Sequence, residues 1–120
     1  MNKNELQGYT IKFSRDTWRD IKIYVAMNQS LKYQYELFNA AVKYIDTNKI
    51  KLTPVANPLI GKHRTCYIDE ALTTSVSHIA ESINCNPSRA LYTIILKYIE
   101  LNQEAPYHRE QYFAGLTITN

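Results

Sequence analysis

Two kinds of spacing alternate along the chain, and each occurs twice. Thr10-Ile11-Lys12-Phe13-Ser14 alternates polar and apolar residues, and so does Thr65-Cys66-Tyr67-Ile68-Asp69 with Tyr67 turned outward. Period two describes a strand with one buried and one open face. Ile11, Phe13, Cys66 and Ile68 are expected inside; Thr10, Lys12, Thr65 and Tyr67 are expected outside. A helical spacing follows each strand: Trp18, Ile21, Tyr24, Val25 and Met27 in the first case, Leu72, Val76, Ile79 and Ile83 in the second. Ser14 and Asp69 stand where N-caps belong, with Asp16 and Glu70 in the first turns. Polar breaks come at Asn28-Gln29-Ser30 and Asn84-Cys85-Asn86. A second helical pattern then runs through Phe38, Ala41, Val42 and Ile45, and through Leu91, Ile94, Ile95, Tyr98 and Ile99. Asn86 followed by Pro87 is a strong helix start.

The two halves also share letters. Lys43-Tyr44-Ile45-Asp46-Thr47-Asn48 matches Lys97-Tyr98-Ile99-Glu100-Leu101-Asn102 at a spacing of 54 residues. The repeats are placed at 9–48 and 64–102, with one residue more at the break of the first. Residues 49–63 join them and contain Pro54, Pro58 and Gly61, the composition of an extended connection. Residues 103–120 form a tail that holds Pro106 and ends in the β-prone run Leu116-Thr117-Ile118-Thr119. One strand and two helices cannot bury a sufficient core alone, and a lone strand leaves its backbone unpaired. Two copies solve both problems. The expected fold is a single domain over 1–120, mainly α, with a short two-stranded antiparallel β-ribbon and four helices around one core. Because one chain holds both copies, the fold can close within a monomer.

Composition limits function more than it assigns it. Hydrophobic residues make up 45% of the 120, so disorder is not expected. The longest uncharged apolar stretch, Leu91 to Leu96, is too short to cross a bilayer, and Met1 to Gly8 lacks the apolar segment of a signal peptide. A soluble cytoplasmic protein with no membrane partner is expected. Cys66 and Cys85 read as buried free thiols of a reducing compartment. His63 lies three residues before Cys66, but no second such pair supports a metal site, and His78 reads as packing or surface. No glycine-rich phosphate loop, nucleophile elbow or paired catalytic acid occurs, so neither enzyme activity nor a cofactor is expected. The net charge of +3 permits nucleic-acid binding without requiring it.

A strand, a capped helix, a polar break and a helix opening Asn86-Pro87-Ser88-Arg89-Ala90 and closing Lys97-Tyr98-Ile99 resembles the ribbon-helix-helix family of Arc- and MetJ-like DNA-binding proteins. The first half departs from the pattern, with Leu31-Lys32-Tyr33-Gln34 in place of a small polar break. Two repeats in one chain resemble the layout of TraY-like relaxosome proteins of conjugative plasmids. The resemblance implies a tandem pseudo-dimer whose ribbon enters the major groove of double-stranded DNA, in a transcriptional regulator or repressor or in a conjugation accessory factor. It places Thr10, Lys12, Thr65 and Tyr67 at base edges. It places Lys32, Arg64, Asn86, Ser88 and Arg89 at phosphates, the last three at a helix N-terminus. It also allows a second copy on an adjacent site. The same residues equally suit a solvated strand face and a plain helix cap. The competing reading is a protein-binding inhibitor or antitoxin-like module, with residues 103–120 as a further contact for a protein partner.

Overall fold

The computed structural model describes residues 5–102. The order is strand β1 (Leu6–Phe13), helix α1 (Arg15–Met27), helix α2 (Gln34–Thr47), strand β2 (Lys62–Asp69), a 3-10 turn (Glu70–Leu72), helix α3 (Thr73–Ser82) and helix α4 (Pro87–Leu101). The architecture is mostly helical, with four helices and one two-stranded antiparallel sheet. No helix among the described residues is long and apolar enough to cross a membrane. The tail expected at 103–120 lies outside the described residues.

Most local signals act as their chemistry suggests. The Ser14 hydroxyl accepts from the Thr17 N–H at 3.1 Å and caps α1. The Asn86 side chain accepts from the Arg89 N–H at 2.8 Å, with Pro87 opening α4. Asn84 takes a positive φ of 61°, and the Asn84 and Cys85 N–H groups turn back onto the Glu81 and Ala80 carbonyls. That is the left-handed helix stop which asparagine tolerates well. Lys49 ends α2 in the same way, with its own N–H and that of Ile50 on the Asp46 and Ile45 carbonyls.

Three expectations need correction. Both strands are longer than the alternating runs, so Leu6 to Tyr9 and Lys62 to Arg64 belong to the ladder, and His63 and Arg64 lie within β2. Asp69 makes no side-chain cap. Its N–H goes to the Asn39 side chain at 2.8 Å, and the Glu70 N–H is spent on the Glu5 carbonyl at 2.8 Å. The ladder therefore runs on into the first turn, which tightens to a 3-10 turn before α3. Cys85 is half-buried and Met27 exposed, whereas Cys66 is fully buried.

The core lies between the inner sheet face and the four helices. Ile11, Phe13, Cys66 and Ile68 line its roof; Trp18, Ile21, Leu37, Phe38, Val42, Ile45, Val76, Leu91, Ile94 and Ile95 fill it. The packing crosses between halves: α2 lies under β2, α4 lies under β1, and α2 and α4 pack together. Each strand is thus buried by a helix from the other half.

Candidate nucleic-acid interface

Directly opposed residues of an antiparallel pair share a face. The register opposes Gly8 to Tyr67, Thr10 to Thr65 and Lys12 to His63, and these make the outer face. Tyr9 with Cys66, Ile11 with Arg64 and Phe13 with Lys62 point the other way. The four residues expected outside, Thr10, Lys12, Thr65 and Tyr67, thus share one face around a central threonine pair. His63 joins them. Odd spacing puts His63 and Cys66 on opposite faces of β2, so the two cannot share a ligand. Burial pushes the Cys66 thiol up to about 12, which keeps it protonated.

Gly8 shapes one end of this face. A Cβ there would crowd Thr65 Cγ2 at 2.8 Å and the Tyr67 ring at 3.1 Å. The ring therefore leans over the glycine, 46% exposed. Along the chain Gly8 closes a polar N-terminal stretch; what marks it as strand is a glycine opposite an aromatic across the sheet.

The start of α2 stands beside that end. Lys32, Tyr33 and Tyr35 line a cavity of about 370 Å³ together with Leu6, Thr65 and Tyr67. The Lys32 ammonium lies 5.8 Å from the Tyr33 ring centre, and the Tyr33 and Tyr35 rings are near parallel at 5.9 Å. Glu36 reaches back to accept from the Lys32 and Tyr33 N–H groups at 2.6 and 3.0 Å. These bonds hold its carboxyl below the usual range. The α2 start therefore carries a cation, stacked aromatics and a carboxylate already seated on two backbone donors.

The other end is covered. Residues 50–61 cross it as an extended strap. Val55 is held twice by α4: its N–H donates to Thr93 Oγ1 at 3.0 Å, and its carbonyl accepts from Arg89 Nε at 3.0 Å. Further along, the Leu59 carbonyl accepts from Lys12 Nζ at 2.7 Å, and Asn57 Nδ2 donates to the Lys12 carbonyl at 3.4 Å. Gly61 passes so close to Phe13 and Ser14 that a Cβ would overlap the Phe13 carbonyl. Leu59 and Ile60 project from the strap 93% and 87% exposed. Two residues expected at DNA, Lys12 and Arg89, are thus engaged by backbone carbonyls, while Asn86 and Ser88 stay at the α4 start with Asn86 occupied as cap. Arg64 is elsewhere altogether, on the inner side with its guanidinium 4.5 Å from the Trp18 ring centre.

No protein-family model matches the chain, and no curated protein or solved structure matches it either.

Proposed function

We propose that the chain is a single-chain pseudo-dimer of two ribbon-helix-helix repeats that binds double-stranded DNA through the outer face of its ribbon. The observation that carries this reading is where like meets like. Aligned on Ser14 and Asp69, the repeats make Thr10 and Thr65 equivalent, and these two are opposed in the sheet. Aligned on Lys-Tyr-Ile, they make Tyr44 and Tyr98 equivalent, and these rings meet edge to face at 5.5 Å. Equivalent residues touch each other only about a two-fold axis. An axis entering between the threonines and leaving between the tyrosines supports a repeat pair built like a symmetric dimer. The crossed packing of α2 under β2 and α4 under β1 supports the same symmetry.

The outer face suits a major groove. A two-stranded ribbon fits that groove, where threonine, lysine and tyrosine side chains can address base edges. The start of α2, with Lys32, supports a phosphate contact beside it. The axis relates Lys12 to Tyr67 and Gly8 to His63, so the two ends differ in chemistry. An asymmetric target site follows, with two molecules side by side on direct repeats as the extended arrangement. The mild net charge and the exposed Leu59–Ile60 pair favour, as the second reading, a protein-binding inhibitor or antitoxin-like role.

Selection from random DNA duplexes, followed by titration of the recovered sequence, tests the proposal. An enriched, non-palindromic sequence bound more weakly by Thr65→Ala and Tyr67→Ala is expected. No enriched sequence, with the same weak binding by both variants, would overturn it in favour of the protein-binding role.

A further inference from the structure

A cavity of about 580 Å³ opens at the strapped end, below the ribbon rather than on its outer face. Arg15, Arg19 and Lys22 of α1 and Lys62 and Arg64 of β2 line it, so five of the fourteen lysines and arginines of the chain converge there. Among the described residues, no carboxylate lines it. Arg19 makes one loose pair, 3.6 Å from the exposed Asp16. Trp18 forms the inner wall, with the Arg64 guanidinium stacked on its ring. Arg64 Nε is buried and has no acceptor among the described residues. Buried donors almost always find an acceptor, and clustered cations repel one another unless an anion joins them. The α1 N-terminus lies at the same place and adds its positive dipole end.

We infer that this cavity binds a phosphate-bearing anion. Guanidinium groups present planar, forked donors that match phosphate oxygens, and three of the five cations are arginines. The volume admits more than one phosphate group, and the Trp18 wall supplies apolar surface for whatever carries it. Phosphate reaches such a site either as a DNA backbone leaving the ribbon or as a free phosphorylated small molecule. The inference does not depend on the ribbon reading bases.

Trp18 is the only tryptophan, so its emission reports on this site alone. The full chain is titrated with inorganic phosphate, ATP and a random-sequence duplex. The same titrations are run on Arg15→Gln/Lys22→Gln, whose positions are exposed, and on a control of equal charge change, Lys49→Gln/Lys51→Gln. A saturable change in Trp18 emission is expected, with affinity about tenfold weaker in the cavity variant and nearly unchanged in the control. Response to the duplex alone assigns the site to DNA backbone, and the cavity variant should then flatten the salt dependence by about one per residue. Response to ATP or phosphate without any duplex binding keeps this site and removes the DNA proposal. No response to all three, or equal weakening in the control, overturns the inference. Duplex binding that leaves Trp18 emission and the cavity variant's affinity unchanged also overturns it, while leaving the ribbon proposal standing.

Discussion

The two ends of the ribbon are built from the same succession of elements and have come out differently. At the Tyr67 end the start of α2 stands open, with Lys32 and two stacked tyrosines beside the sheet. At the Lys12 end the strap lies across the equivalent place and feeds carbonyl oxygens to Lys12 and Arg89. Two separate chains would have two open ends. In a single chain a covalent path must lead from the end of α2 to the start of β2, and here that path runs over one end. The connection between α2 and β2 thus makes the two ends of the ribbon unequal.

The strongest test of this comparison asks whether the ends share one core. Phe13 lies under the Lys12 end, against Trp18 and Tyr92 at 5.1 and 5.5 Å; Ile68 lies under the Tyr67 end. Phe13→Ala and Ile68→Ala should each cost roughly 2–5 kcal/mol. Because the packing is crossed, either change should lower amide-exchange protection at both ends alike. Protection lost at one end only would mean that the ends are independent units. Gly61→Ala comes next. The added Cβ meets fixed backbone, so the strap must lift, at about 1–3 kcal/mol. Backbone amide shifts should then appear at Val55, Leu59 and Lys12 and not around Lys32. Wild-type shifts throughout would show that the strap has room to spare.

The ends should also differ toward DNA. Lys32→Ala should reduce binding to all duplexes and flatten the salt dependence by about one. Arg89→Ala should do so less, because Arg89 already serves Val55. Equal effects would mean that the strap yields to the ligand. The smallest effect belongs to Glu36. Its depressed carboxyl pKa leaves the folded state holding fewer protons than the unfolded chain, so the cap stabilises α2 at neutral pH. That contribution starts to fade as the pH falls through the ordinary value of 4.5 and is gone below the depressed folded value. Glu36→Gln should remove this acid-side slope while leaving the Lys12 end unchanged. The same slope in the variant would assign the titration to another carboxylate.

Side-chain patterns made the strand faces and the start of α4 more legible in the sequence than the strap. Alternation separated Thr10, Lys12, Thr65 and Tyr67 from Ile11, Phe13, Cys66 and Ile68, because period two admits only two faces. Asn86 and Pro87 marked the start of α4 because those residue types suit few other positions. The strand extensions escaped notice because Gln7, Gly8 and Lys62 carry no apolar pattern; pairing with the other strand, not their side chains, makes them strand. Arg64 occupies an inward position that a charge would normally avoid, and the Trp18 ring beneath it helps to hold the guanidinium there. The strap's extended form was legible from Pro54, Pro58 and Gly61, but its course over the Lys12 end was not. That course is held through backbone carbonyls, which every residue has, so no choice of side chain announces it.

The crossed packing has a consequence for how the protein is made. When β1, α1 and α2 have left the ribosome, the helix that belongs under β1 has not yet been synthesised, and α2 has no strand to cover. The first half must wait with its apolar faces exposed until some fifty further residues arrive. Contacts that close late and across long separations fold slowly and leave time for wrong partners. The most complementary wrong partner is the second half of a neighbouring chain, which offers the same strand and the same helix. At high concentration, refolding should therefore yield exchanged dimers in which each chain completes the other. Such dimers would hold the same contacts as the monomer and separate only by unfolding.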